Sequence, residues 1–230
     1  MLEEANIPYT GSDVNASALA LDKIASKEVF IKNNIPVPDY LVFEKDKFDI
    51  EDADRLGYPI VVKPQFEGSS IGLSIVAGKE LLKNALDEAF RYGDKVMLEE
   101  YIRGRELTVG ILEDEALPVI EIVTRNNIYD YEAKYKNPDT KYLVPAPIDE
   151  TSRREAVRLG VMAHKALGCA DFSRVDMIID GRGRIFVLEV NTIPGMTERS
   201  LLPKAAGAIG LPFSGLCVKI LENALLKKGR

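Results

Sequence analysis

Glu189 and Asn191 stand two residues apart in the apolar run Arg184-Ile-Phe-Val-Leu-Glu-Val-Asn191, so in a strand both oxygen-bearing side chains face the same way. Upstream, Asp176 sits inside another apolar run, Arg174-Val-Asp-Met-Ile-Ile179, where Arg174 shares its face by the period of two. The connection Asp180-Gly-Arg-Gly183 carries glycines suited to the positive φ of a tight hairpin. Closing that hairpin brings Asp176 opposite Glu189 to within about one residue, with Asn191 beside it. Two carboxylates and an amide oxygen on one face are hard ligands that suit Mg²⁺, above all where phosphate oxygens complete the shell. A hairpin with one solvated polar face would show the same spacing.

A second group suits phosphate. Lys63 follows the apolar run Tyr58-Pro-Ile-Val-Val62 and precedes Gln65-Phe-Glu-Gly-Ser-Ser-Ile-Gly72. Gly68 and Gly72 permit close backbone approach, Ser69 and Ser70 add hydroxyls, and exposed N–H groups in such a turn can cradle an anion. The lysine adds a point charge. The pattern is neither G-x-x-x-x-G-K-[ST] nor G-x-G-x-x-G, and a hairpin turn with an ordinary exposed lysine has the same composition. Glu99, near the end of the run Val96–Ile102, could accept from a donor such as an adenine amino group, and Glu106 from ribose hydroxyls. Both read equally as solvated carboxylates. Lys27 and Lys134 could approach phosphates from outside, or be isolated solvated lysines.

The chain has 230 residues, 46% of them hydrophobic, enough for one sizeable core or two closely joined lobes. It has no apolar run near the length of a membrane span and no basic-apolar secretory start, so the expectation is a soluble, cytoplasmic protein with no membrane partner. The net charge of −6 argues against non-specific nucleic-acid binding. Cys169 and Cys217 lack metal-ligand spacing and read as two small buried hydrophobes. His164, the single histidine, falls in the amphipathic stretch Glu155–Leu167, which leaves little room for a histidine triad or a zinc site.

These groups need elements to position them. Spacing predicts helices over Ala16–Asn33, Ile50–Leu56, Lys79–Arg91, Ser152–Leu167 and Phe213–Leu226. Strands are predicted over Val37–Phe43, Tyr58–Val62, Leu73–Val76, Val96–Ile102, Arg105–Leu112, Leu117–Val123 and the two arms of the hairpin. Arg125–Asp149 reads as a polar, Tyr-rich loop, long enough to suggest function, and a glycine-rich loop follows the hairpin. Helices and strands are mixed without regular alternation, which predicts an α+β fold of two lobes.

Taken together, the segments resemble the ATP-grasp ligases, specifically the D-alanine–D-alanine ligase family. The motifs that carry this are Ile7-Pro-Tyr-Thr-Gly-Ser12, Ala16–Lys27, Val62-Lys-Pro64 with Glu67–Gly72, and Glu99–Glu106. Tyr129–Tyr135, Ser173–Asp176, Leu188–Thr197 and Ser200–Pro203 continue in order over nearly the whole chain. The resemblance implies an ATP-grasp fold with ATP held between two lobes. Residues 1–99 would form a smaller lobe with the phosphate loop, and 100–230 a larger lobe with a lid loop at 125–149 and the Mg²⁺-binding hairpin. It places Lys27, Lys63, Ser69 and Ser70 at the phosphates, Glu99 and the Ile102 backbone at adenine, Glu106 at the ribose, Leu188 beside the nucleotide and Lys134 at the adenine or phosphates. Asp176, Glu189 and Asn191 would hold two Mg²⁺ ions (Mn²⁺ being an alternative), with Glu189 bridging.

By the same resemblance, Arg174 and the Gly195 N–H would stabilise an oxyanion, Ser200 and Leu201 would meet the second substrate's carboxylate, and Tyr135 would mark the dipeptide-forming type. The implied activity joins two D-alanines through an acylphosphate for peptidoglycan synthesis. An ATP-grasp ligase for another amino or hydroxy acid is an alternative, as is a nucleotide-binding module needing a partner domain. The family also carries an N-terminal domain before the Ile7-Pro-Tyr-Thr motif, with a glutamate for the first D-alanine. The expectation is either a sequence whose start is truncated or misassigned, the favoured alternative, or a natural short form; first-substrate selection and homodimer contacts would depend on that missing domain.

Overall fold

The computed structural model describes residues 1–124 and 140–226, so Lys134 and Tyr135 lie outside the described residues. Two antiparallel sheets organise the chain. The first has four strands, β1 (Tyr40–Glu44), β2 (Ile60–Pro64), β3 (Ser74–Val76) and β4 (Lys95–Glu100), in the order β1-β4-β2-β3. Helix α3 (Lys79–Ala89) covers one face with Leu82, Ala85, Leu86 and Ala89, the stripe that helical spacing marks.

The second sheet contains β5 (Gly104–Leu112), β6 (Glu115–Ala116), β7 (Ile120–Val123), β8 (Lys141–Leu143), β9 (Phe172–Asp180) and β10 (Ile185–Asn191). Its order is β10-β9-β5-β7-β8, with β6 paired to β5. Along β9 burial alternates from Ser173 onward. Val175, Met177 and Ile179 enter the core, while Arg174, Asp176 and Ile178 face the other way. Helix α4 (Glu150–Ala166) closes that core with Ala156, Leu159 and Ala163. This is the α+β architecture expected.

Several elements differ from expectation. The helix predicted over Ala16–Asn33 is two, α1 (Val14–Leu21) and α2 (Lys23–Lys32), because Asp22 leaves the helical region at ψ 99°. Its Oδ1 accepts the N–H groups of Ile24 and Ala25 at 3.0 Å each, which caps α2. Ala20, Phe30 and Ile35 pack into the core of the second sheet. Ile50–Leu56 is a 3-10 helix. Strand β8 lies in the expected loop, and helix α5 (Leu201–Ala208) replaces loop after the hairpin, with Pro203 tolerated because it falls in the first turn.

Helix α6 (Phe213–Leu226) runs as predicted. Among the described residues no single helix is long and apolar enough to cross a membrane. Helices α5 and α6 are apolar together but bend by 105° and bury Leu202, Ala206 and Leu216 in a third cluster.

Candidate active site

The β9–β10 hairpin sets the acidic centre. Glu189 is the direct cross-strand partner of Asp176, and Asn191 that of Arg174. A bulge at Leu188 shifts the register between Val187 and Glu189, and so produces this exact pairing rather than an offset one. Asp176 is held from two sides. Arg174 Nε and Nη2 reach Oδ1 and Oδ2 at 2.9 and 2.7 Å, and Thr108 Oγ1 on β5 donates to Oδ1 at 2.7 Å. Asn191 Oδ1 accepts the Ile193 N–H at 2.9 Å, which turns the chain into the loop beyond β10.

The Glu189 side chain forms no hydrogen bond or ion pair among the described residues and lines two adjoining cavities. One, between the sheets, is walled by Val61, Ile75, Ile102, Leu107, Met177 and Leu188, an apolar slot for a flat ring. Lys63, Ser70 and Glu106 also line it. The other is bounded by Arg174, Asn191, Gly195, Ser200 and Leu201. Lys23, Glu67, Gly68, Ser69 and Glu189 are common to both, so the cavities meet where Glu189 and the Gly/Ser turn face each other.

The donor set fits a divalent cation. Asp176 and Glu189 supply two carboxylates and Asn191 an amide oxygen, all hard ligands. No cluster of three or more His, Cys, Asp or Glu side chains forms a metal cage among the described residues. Most of the shell is therefore left to water and phosphate oxygens, the habit of Mg²⁺ rather than of an all-protein site.

The Gly/Ser turn carries its own strain. Ser69 and Ser70 hold φ of 51° and 62°, consecutive left-handed residues that aim backbone N–H groups to one side. Gly72, at φ 67°, cannot be replaced, because a Cβ there would lie 2.7 Å from Pro64 Cγ and 2.9 Å from Tyr92 Cδ2. The turn is tethered to the start of α2, where Gln65 Nε2 donates to Asp22 Oδ2 at 2.8 Å and Lys23 N to the Gln65 carbonyl at 3.1 Å. Lys23 Nζ also donates to the Glu67 carbonyl. Lys23 was not singled out from sequence. Its signal was the capping Asp22 just before it, which turns the first residue of α2 toward the cleft. Burial lowers its pKa, and the charge of Glu189 opposes that.

Lys27 and Glu99 lie deeper than the resemblance implied. Lys27 is fully buried and lines neither cavity. Its Nζ lies 2.6 Å from Glu99 Oε1 and 3.3 Å from the Val187 carbonyl. Glu99 is 2% exposed, and its second oxygen pairs with Lys63, so both oxygens are taken up by lysines. Burial pushes the Glu99 carboxyl up, but Lys27 and Lys63 outweigh it and hold it below the usual carboxylate range. Lys27 reaches no cavity in this arrangement, whereas Glu99 lines the apolar slot together with Lys63. A carboxylate and two cations at the ends of separate apolar segments attract one another once buried.

At the substrate end, Ser200 caps α5 without bonding its own helix. Its Oγ accepts the Thr197 N–H at 3.1 Å, and a Cβ on Gly195 would lie 2.9 Å from it. Gly195 therefore leaves an exposed backbone edge against Ser200, at the N-terminus of α5.

Two antiparallel sheets gripping a cleft between a strained Gly/Ser turn and an acidic hairpin define an ATP-grasp ligase fold, and the solved structures that match it bear this out. A D-alanine–D-alanine ligase from Bacillus anthracis complexed with ATP superposes with a TM-score of 0.87 at 33% identity, covering 99% of this chain and 74% of that one. The VanG D-Ala:D-Ser ligase from Enterococcus faecalis gives 0.85 at 36% identity, covering 96% and 66%. The family model described as D-ala D-ala ligase C-terminus matches residues 29–222. The D-alanine–D-alanine ligase of Citrifermentans bemidjiense is 47% identical over 99% of this chain and 73% of its own length, and that of Geobacter sulfurreducens is 46% identical over 99% and 72%. The chain belongs to the D-alanine–D-alanine ligase family and is an enzyme of the ligase class.

Proposed function

We propose that this chain carries the nucleotide and second-substrate sites of an ATP- and Mg²⁺-dependent ligase that forms D-alanyl-D-alanine for peptidoglycan precursors in the cytoplasm. The observation that carries this is the direct pairing of Asp176 with Glu189 at the junction of the two cavities, with Arg174 on the same face. The apolar slot takes adenine, the Ile102 backbone lies at its edge, and Glu106 faces the ribose. Lys23, Lys63 and the Ser69–Ser70 turn meet the phosphates. Asp176, Glu189 and Asn191 would hold Mg²⁺, which supplies charge neutralisation at the phosphoryl oxygens when bound.

The chemistry needs no nucleophilic side chain. The carboxylate of the first D-alanine attacks the γ-phosphorus of ATP, ADP leaves, and an acylphosphate results. The amine of the second D-alanine then attacks the acyl carbon, and phosphate leaves. Phosphoryl transfer depends mainly on positioning and charge, which the lysines and the turn provide. Arg174 and the Gly195 N–H are set to stabilise the tetrahedral oxyanion, while Ser200 and the Leu201 N–H orient the second carboxylate. Lys134 and Tyr135, as residues of a lid over the reaction, belong to the same proposal.

The relatives extend beyond the region matched here, and Val14, Leu21 and Ile193 stand exposed on the rim of the substrate cavity. This supports a further domain, or a second copy of the chain, completing the first-substrate site. The likeness to a D-Ala:D-Ser ligase favours a second reading, in which the second substrate is D-serine.

The test is phosphate release from ATP and Mg²⁺, with D-alanine, with D-alanine plus D-serine, and with neither, on this chain and on Glu189→Gln. D-alanine-dependent release that Glu189→Gln abolishes is the expected result, and faster release with D-serine selects the second reading. ATP binding without release assigns the chain as a catalytic part that needs its further domain. Absence of both sinks the proposal.

A further inference from the structure

We propose that Lys27 is a positioning residue for phosphate binding: it neutralises Glu99 from behind, so that the positive charge of Lys63 remains available to the nucleotide. This rests on the nucleotide reading of the cleft and goes beyond it, since Lys27 itself touches neither cavity.

The three side chains form a line from interior to cleft. Lys27 is 0% exposed, Glu99 is 2% and Lys63 is 7%, and of the two lysines only Lys63 reaches a cavity wall. Glu99 gives one oxygen to each ammonium, Oε1 to Lys27 at 2.6 Å and Oε2 to Lys63. The Val187 carbonyl takes a further proton of Lys27 at 3.3 Å, fixing it between β4 and the residue before the bulge of β10. Two cations sharing one anion leave a net positive charge, and it is expressed where Lys63 and Glu99 line the slot, since Lys27 reaches neither cavity.

Without Lys27 the balance changes sign of purpose. Lys63 and Glu99 would become a closed neutral pair, strongly held because little water reaches it. A phosphate would then have to compete with Glu99 for the ammonium. Burial and the nearby Lys63 charge pull the pKa of Lys27 down to about 8, with Glu99 pulling the other way, so Lys27 still carries its proton at neutral pH.

The experiment separates charge from structure. ATP binding is measured by calorimetry and adenosine binding by saturation-transfer NMR, on the wild-type chain, Lys27→Met, Lys63→Met, Glu99→Gln and the double variant Lys27→Met/Glu99→Gln. Lys27→Met is expected to weaken ATP by about tenfold and leave adenosine unchanged. The double variant, in which Lys63 has no carboxylate to answer, regains ATP affinity to within about threefold of wild type. A purely structural lysine would give no such rescue. Glu99→Gln alone binds ATP at least as tightly as wild type, a result that stands even if Lys27→Met does not fold. Unchanged ATP affinity in Lys27→Met, failure of rescue in a folded double variant, or weakened ATP binding in Glu99→Gln overturns the proposal. A wild-type chain that does not bind ATP, or a Lys63→Met variant that binds it normally, overturns the nucleotide reading together with it.

Discussion

Arg174 grips both oxygens of Asp176 from two residues away on β9, at 2.9 and 2.7 Å, and both side chains are nearly buried at the cavity junction. The carboxylate is thus oriented before any cation arrives, and a cation that binds shares it with a guanidinium. The pair also fixes the plane of the guanidinium, which is what an oxyanion donor needs.

Arg174→Lys should separate those roles. Lysine keeps the charge but loses the rigid fork. We expect kcat to fall by about 100-fold, the loss seen when one oxyanion donor is removed. The Mg²⁺ concentration at half-saturation should stay level or fall, because Asp176 no longer answers to a second cation. Steady-state assays across a Mg²⁺ series check this, and an unchanged kcat with a raised Mg²⁺ requirement would count against it.

Gly104 opens β5 between Ile102 and Glu106, and its place next to β9 leaves no room for a side chain. A Cβ there would lie 2.8 Å from the Ile179 carbonyl carbon and closer still to its oxygen. Gly104→Ala must therefore push β5 away from β9 at the floor of the cleft. The expected cost is about 1–3 kcal/mol in urea unfolding, as for other overpacked sites, with a raised KM for ATP. A stability equal to wild type would show that the strand ends part freely.

Much of this was legible in the residues and some was not. The spacing of Glu189, Asn191 and Asp176 about a Gly-x-Gly connection fixed one face of the hairpin, because a strand admits only two faces. The bulge at Leu188 was invisible, since nothing in Val187-Leu-Glu189 distinguishes a bulged strand from a regular one. The break at Asp22 was written as a capping residue inside a helical pattern, and apolar periodicity on both sides hid it. Helix α5 was missed because Pro203 discourages a helix everywhere except the first turn, where it lies. The fates of Lys27 and Glu99 depended on which charges meet after folding. No local pattern carries that, and similarity to a family gives roles more readily than contacts.

His164 supplies a pH prediction. It is fully buried, with Nδ1 2.7 Å from Ser173 Oγ on β9 and Nε2 3.3 Å from Asp114 Oδ1. Burial lowers its pKa, and Asp114 opposes this only in part. A histidine with a folded pKa below its unfolded value holds fewer protons folded than unfolded. The stability it contributes is therefore complete above the unfolded pKa near 6.5 and is lost as pH falls toward the folded value. Urea midpoints at pH 7.5 and 5.5 should drop more for wild type than for His164→Gln, and equal drops would remove His164 from the acid response.

The two thiols should differ in reactivity, and one of them reports on the substrate cavity. Burial pushes the Cys169 thiol up to about 11 against a hydrogen bond from Ser12, whereas Cys217 on α6 is half-buried. Since the thiolate is the reactive species, Cys169 should resist a disulfide reagent at pH 8 and Cys217 should react first. Cys169 becomes accessible when its neighbours open, and those neighbours are the opening segment of the chain. Ala170 N donates to Ser12 Oγ at 3.0 Å and Gly11 N to Asp171 Oδ2 at 2.7 Å, while Ser12 and Asp13 line the substrate cavity. A ligand that fills that cavity holds the segment down, so D-alanine with a non-hydrolysable ATP analogue should slow Cys169 labelling in a Cys217→Ser variant by at least threefold or so. Labelling that ignores ligand would mean the segment opens independently of the cavity it lines.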